Sequence, residues 1–343
     1  MRSRGIAATA IAVVTTLALA LGMALPAGAA TPQQQSVPSA VTITGKNILP
    51  EMSLGSPGFA SRANRTVLAW TGTDPSHHLN VDISPNGLTS YTNKITLRDT
   101  SIAGPAVAQM SEAAGNAVIL AWTGTDASHR VNVLFDVYGQ QKKMTYRETS
   151  FTSPAITIYQ GNLLVAWAGT DANHSLNVMS VSLASLGMLE KRTFTFGSNE
   201  APSLATVDVE PAANSTGGQT LNEAVLGWTN KTNHLQFANT KSGLNFTAQA
   251  PLAESSPYAP VMMQYHTEGG PEFWIAWTGT DAAHHLNVKS TNPGAFPAIV
   301  GNKTVLPETA FGHPSLGFNN GLFIAWTGTD SAKHLNVAEF QGF

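Results

Sequence analysis

The chain has no cysteine and little charge, with only 11% of its 343 residues being Asp, Glu, Lys or Arg. Without thiols there is no disulfide framework, no thiolate nucleophile and no thiolate metal site, so stability has to come from burial and topology. Cations are scarce as well: 18 Lys and Arg face 21 Asp and Glu, and setting aside Arg2 and Arg4 of the leader leaves a net charge near −5. A weakly acidic chain without a basic stripe offers nothing to a nucleic-acid backbone. Past the first 30 residues no apolar run is long enough to cross a bilayer. The usual signatures of covalent or metal catalysis are missing too: there is no Gly-x-Ser-x-Gly, no Walker loop and no His-Glu-x-x-His.

Residues 1–30 read as a secretory signal. Arg2 and Arg4 give a positive start, Ile6 to Leu25 is apolar, and Ala27-Gly28-Ala29 is a small-residue cleavage site. Residues 31–40 are a polar, Pro-containing lead-in, and 41–343 are expected to form one domain of an exported, extracellular protein, with no membrane insertion once the signal is cut. The 30 Gly and 19 Pro indicate a turn-rich, all-β chain.

What is present is a repeat. Ala-Trp-Thr-Gly-Thr-Asp-x-x-His-x-Leu-Asn-Val recurs, with variations, at 69–81, 121–133, 166–178, 276–288 and 325–337, and a worn copy two residues shorter lies at 227–237. Trp70, Trp122, Trp167, Trp228, Trp277 and Trp326 therefore fall about 50 residues apart, a period expected of propeller blades. In one repeat, strands are expected at 105–110, at the continuous apolar run 117–122, at the alternating stretch 130–137 and at 143–147, with turns at 113–116, 123–126 and 139–140. Four antiparallel strands make one blade. A second marker gives the phase: an acidic residue ends the fourth strand and a proline follows six residues later, at Glu51/Pro57, Asp99/Pro105, Glu148/Pro154, Glu254/Pro260 and Glu308/Pro314, with Phe196 breaking the rule before Pro202. The last repeat stops after its third strand, while Val41–Glu51 resembles the fourth strand Lys303–Glu308. The expected fold is thus an all-β, six-bladed β-propeller whose N-terminal strand closes the last blade, since an open ring would leave sheet edges exposed. A solenoid is the alternative, but it would not need complementary ends.

In propellers of the WD-repeat kind, the loop between strands two and three shares a face with the crossovers between blades. The Gly-Thr-Asp turns and the acidic positions are expected together on that face, opposite variable turns that include the 211–222 insertion. The candidate ligand-binding residues are Trp70, Asp74, His77 and His78; Trp122, Asp126 and His129; Trp167, Asp171 and His174; Trp277, Asp281, His284 and His285; and Trp326, Asp330 and His334. The Asp residues read first as turn caps that accept backbone N–H bonds, and the tryptophans as wedges between blades. A turn alone does not require imidazole, so the histidines read either as ligand contacts or as local hydrogen-bond partners. The fourth repeat, which has lost Gly-Thr-Asp, is expected to be a dead site. No cofactor is expected; calcium at the Asp turns is the one metal considered, against loops that lack a dense carboxylate spacing.

The layout of Ser-Pro at the first strand, an apolar strand ending in Gly-Thr-Asp and a strand opening with His resembles the repeats of PLL-type bacterial propeller lectins. That family usually has seven blades and carries paired outer-strand tryptophans, which this chain lacks. The resemblance implies sugar sites between neighbouring blades on the motif face. The function expected is non-catalytic, multivalent binding of glycans or another repetitive cell-surface ligand at up to five similar sites. Two alternatives stand beside it. One is a glycoside hydrolase or sialidase-like enzyme with a single central pocket, although repeated, alike carboxylates do not supply the unlike acid and base that glycosidic cleavage needs. The other is a structural or protein-binding propeller whose motifs only hold blades together.

Overall fold

The computed structural model describes residues 41–62, 65–84, 91, 93–110, 117–137, 140–209, 221–267, 270–291, 302–318 and 321–341. The signal, the lead-in, the turn at 113–116 and most of the 211–222 insertion lie outside them. Among the described residues there is no helix.

The protein is a β-propeller of four-stranded antiparallel blades. Four sheets run in simple meander order: β2 (Gly58–Arg62), β3 (Arg65–Thr71), β4 (His78–Ser84) and β5 (Ile95–Thr100); β6 (Ala106–Gln109), β7 (Val118–Thr123), β8 (Arg130–Val137) and β9 (Gln140–Thr149); β10 (Ala155–Tyr159), β11 (Asn162–Ala168), β12 (Ser175–Ser182) and β13 (Met188–Gly197); and β14 (Ser203–Val209), β15 (Leu221–Thr229), β16 (Leu235–Thr240) and β17 (Thr247–Ala248). A further seven-stranded sheet takes β18 (Val261–Thr267), β19 (Gly270–Thr278), β20 (His285–Thr291), β21 (Lys303–Phe318), β22 (Leu322–Gly328), β23 (His334–Gln341) and, at its edge, β1 (Thr42–Met52). The 16-residue β21 lies in the middle and joins the two halves of that sheet, pairing with β20 through its first half and with β22 through its second. The pairing expected of the chain ends is present: β1 runs antiparallel to β23, from Thr42 opposite Gln341 to Met52 opposite His334.

Burial explains why the second strand of each meander is a continuous apolar run. β7 (VILAWT) is buried at every position, as is β22 (LFIAWTG), because these strands lie between neighbouring sheets and have no solvent face. The outer strand β13 is almost wholly exposed or half-buried. The described core divides into six apolar clusters, and each brings one repeat tryptophan against the preceding sheet. Trp122 packs with Val67, Ala69, Leu79 and Val81, and Trp70 packs with Leu49, Phe323, Ala325, Leu335 and Val337. The innermost strands follow one another in a cycle, β2 beside β6, then β10, β14, β18 and β21, which lies beside β2 again. Side chains stitch the junctions: Thr71 Oγ1 donates to Ala103 O at 2.7 Å, Thr123 Oγ1 to Thr152 O at 2.6 Å and Thr327 Oγ1 to Gly55 O at 2.7 Å.

Candidate functional site

The motif turn is built by its aspartate. Asp74 accepts the N–H of Ser76 and of His78, both at 3.1 Å. Asp126 takes those of Ser128 and Arg130 at 3.0 and 3.3 Å, and Asp171 those of Asn173 and Ser175, both at 3.0 Å. Asp281 and Asp330 do the same for Ala283 and His285 and for Ala332 and His334. In the worn copy Asn230 replaces the carboxylate and still accepts from Thr232 and His234 at 2.9 and 3.0 Å. The preceding glycine leaves the Asp room, since a Cβ on Gly72 would lie 2.7 Å from Asp74 Oδ2 and 2.9 Å from Asn80 Nδ2.

The first residue of each histidine pair has a backbone role that the sequence did not reveal. His77, His129, His174, Asn233, His284 and Lys333 all adopt positive φ, between 49° and 63°. This left-handed conformation is uncommon outside glycine but is enriched in Asn, Asp and His. It turns the carbonyl towards the crossover, where Ser101, Ser150, Ser198, Ser256, Ala310 and Ser53 donate their N–H groups to it at 2.9–3.1 Å.

The second histidine faces the carboxylate. Nδ1 of His78, His285 and His334 lies 2.8 Å from Oδ1 of Asp74, Asp281 and Asp330. With the carboxylate ionised, Nδ1 is the donor in this contact. Arg130 and Ser175 hold this position in two copies, and Ser175 Oγ donates to Asp171 at 3.0 Å.

Between neighbouring blades on this face lie clefts assembled from two chain segments. One of about 630 Å³ is lined by Glu51 and Met52 from β1 together with Trp70, Asp74, His78, Asn80, Lys94 and Thr96. Its counterpart, about 400 Å³, is lined by Asp99 and Thr100 from β5 and by Trp122, Asp126, Arg130, Asn132, Lys143 and Thr145. The expected Asp and Trp residues thus come together with the second residue of the pair, whereas His77 and His129 do not line these two clefts.

The indoles form a covered floor. Trp70, Trp122, Trp167, Trp277 and Trp326 are each about 1% exposed. A lysine ammonium lies over four of them at 5.2–5.4 Å from the ring centroid: Lys94 over Trp70, Lys143 over Trp122, Lys191 over Trp167 and Lys46 over Trp326. Three of these lysines pair with the acidic residue of the preceding blade, in Lys143–Asp99, Lys191–Glu148 and Lys46–Glu308, and Lys303 pairs with Glu254 at 3.3 Å. The sequence reading missed them, although the signal was there: Lys46, Lys94, Lys143 and Lys303 each stand five residues before the acidic marker. A register irregularity puts the marker in reach. Asn132 pairs with Thr145 but Arg130 pairs with Thr149, so the outer strand bulges just before Glu148 and carries it towards the next blade. The β4–β5 and β20–β21 pairs break register at the equivalent point.

The turn carboxyls set an acid limit on stability. Desolvation pushes Asp74, Asp281 and Asp330 up, but the histidine and backbone hydrogen bonds outweigh it and hold each below the ordinary value of 3.8; Ser175 does the same for Asp171. A depressed folded value means the stabilisation is present above the unfolded pKa and is lost as pH falls through the folded one. Stability is therefore expected to drop below about pH 4, and a variant with Asp→Asn at all four positions should drop less steeply. Asn230 shows that the amide still caps the turn. Urea unfolding between pH 3 and 7 measures the difference, and equal acid slopes for the two proteins would defeat the assignment.

On the axis, a cavity of about 110 Å³ is lined by the inner-strand starts, among them Pro57, Pro105, Pro154, Pro202, Met262 and His313, with no carboxylate among its described lining. Glu200, on the crossover before Pro202, is pushed by burial up to about 7. Among the described residues no three His, Asp or Glu side chains group as a metal site.

No protein-family model matches the chain, and no curated protein matches it. Solved structures do. SapL1 lectin in complex with alpha methyl fucoside is similar over 84% of this chain and 94% of its own, at 8% identity and a TM-score of 0.60. The six-bladed fungal lectin of Aleuria aurantia is similar over 73% and 78%, at 10% identity and 0.52. Trypanosoma rangeli sialidase is similar over 84% of this chain but only 55% of its own length, at 9% identity and 0.55. At these identities the likeness is one of fold.

Proposed function

We propose that this is a secreted, non-catalytic propeller that binds glycans at several similar clefts between blades. The seven-stranded sheet counts as two blades sharing β21, which makes six, with β1 as the outer strand of the last. The observation that carries the function is the repeated cleft: a tryptophan floor, a lysine, a carboxylate from the preceding blade and polar Asn, Thr and His groups, all facing one side. Donors and acceptors grouped at the surface of the cleft suit the hydroxyls of a sugar ring, while the buried tryptophan beneath holds the blades that carry them. Each site is shallow and weak, so strength would come from engaging a repetitive surface at several points. The structural likeness to fucose-binding lectins supports this reading.

The hydrolase reading draws on the sialidase likeness and on Glu200, a carboxyl that burial raises on the crossover before Pro202. A glycan array run on residues 31–343, with aryl-glycoside hydrolysis assayed on the same sample, separates the two. Array binding without turnover is the expected result. Turnover that disappears in Glu200→Gln would replace the proposal with an enzyme.

A further inference from the structure

The repeated clefts are not all alike along their outer strands. Two residues after the lysine, three blades carry Thr96, Thr145 and Thr193, whereas two others carry Val305 and Ile48. Each of these residues stands in direct register with an asparagine of the third strand. Asn80, Asn132 and Asn177 lie opposite the threonines, Asn287 lies opposite Val305, and Asn336 lies opposite Ile48.

Every one of the three threonine hydroxyls donates to its asparagine, 2.6–2.7 Å from Oδ1. The amide is oriented alike in all five copies, because Nδ2 donates to the carbonyl two residues earlier, at 2.9 Å from both His285 O and His334 O. Oδ1 is therefore the end that faces the outer strand. Valine and isoleucine have no hydroxyl to give. Among the described residues no donor reaches Oδ1 of Asn287 or Asn336, although each asparagine is only 4% exposed. Opposite each of them an aliphatic side chain is left in solvent, Val305 at 56% and Ile48 at 60% exposure. An acceptor in want of a donor and an apolar surface in want of cover thus stand side by side, on strands whose facing Cβ atoms are about 5 Å apart.

We infer that these two clefts, beside Trp277 and Trp326, select an acetamido sugar, with the amide N–H on the asparagine Oδ1 and the acetyl methyl on Val305 or Ile48. The match is one of shape as well as of chemistry. In a trans amide the N–H lies opposite the carbonyl oxygen, and so on the same edge as the methyl. A plain hydroxyl would satisfy the oxygen and leave the aliphatic side chain wet, and a deoxy methyl would do the reverse. The Lys303–Glu254 and Asp281–His285 pairs remain for the ring hydroxyls in one cleft, and Lys46–Glu308 and Asp330–His334 in the other. In the three threonine clefts Oδ1 is already bonded, so an amide gains nothing there. This inference rests on the glycan-binding reading and names the sugars that two of its clefts prefer.

The test is titration calorimetry of the full chain with the methyl glycosides of N-acetylglucosamine, N-acetylgalactosamine, glucose and galactose. Wild type is compared with the double variant Ile48→Thr, Val305→Thr. The variant installs the residue that the other three clefts carry, which gives Oδ1 its hydroxyl donor without touching the turn, and a thermal melt checks its fold. Wild type is expected to bind at least one acetamido sugar about tenfold more tightly than its plain counterpart, at two sites per chain. In the variant that ratio should fall to about one, while plain hexoses should bind both proteins alike. Absence of an acetamido preference in wild type, or a preference that the variant keeps, overturns the inference, and binding on the array would then leave the broader function standing. A chain that binds no sugar either in the calorimeter or on the array overturns both.

Discussion

Deleting residues 41–52 is expected to destabilise the protein by more than about 4 kcal/mol, or to drive it into aggregates before a melt can be recorded. The reason lies in what β1 covers. It pairs with β23 along its length, so its removal bares a row of backbone donors and acceptors and turns β23 into an edge strand. Leu49 is 4% exposed and belongs to the cluster that seats Trp70 against β22 and β23. Val41 and Ile43 pack against the neighbouring cluster. Lys46 would leave both Glu308 and the face of Trp326. The loss is thus one of pairing and of burial at the junction where the cycle of strands meets itself.

A permuted chain separates this account from a simple effect of truncation. Thr42 lies opposite Gln341, so residues 41–52 attached after the C-terminus through a short turn form a hairpin with β23 in the same register. A chain that starts at Ser53 and ends in this way is expected to melt within about 1 kcal/mol of the original, because every pairing is kept and only the covalent order changes. A deletion variant that melts like the full chain would show that β1 contributes nothing to closure.

Much of this architecture is legible in the residues. The β8 boundaries agree with the alternating stretch Arg130–Val137, since period-2 patterning and a buried face fix register together. β7 is displaced by one residue from the apolar run 117–122, to Val118–Thr123, because ladder bonds extend past the last apolar side chain. The turn role of the aspartates also follows from local chemistry, as carboxylate-to-backbone bonds span only two to four residues. The clefts were harder to read. They join Asp99 to Lys143 and Glu148 to Lys191, pairs brought close by the bulge and by the angle between blades rather than by proximity in the chain. The left-handed φ of His77 and His129 was equally hidden, since a histidine in a polar turn looks the same whether its ring or its carbonyl is in use.

Trp122→Ala and Lys143→Ala should separate the fold from the site within a single cleft. The indole of Trp122 is about 1% exposed and wedged among side chains of two sheets. Its removal opens an interblade cavity that the surrounding strands cannot collapse into, at an expected cost of about 3–5 kcal/mol. Lys143 is a solvent-facing cation held by Asp99 and the indole face, and exposed pairs of that kind contribute about 1 kcal/mol or less. The lysine variant should therefore melt close to wild type, whereas the tryptophan variant should not. Glycan binding should follow the opposite order: Lys143→Ala removes a donor at the cleft surface and changes affinity without changing the melt. Binding by Trp122→Ala should fall only as the folded population falls, and should recover at a temperature where the variant is fully native. If Trp122→Ala instead kept the melting curve of the wild type and lost sugar binding at all temperatures, the tryptophan would be a stacking platform exposed on binding, and the lysine above it a lid that the ligand displaces.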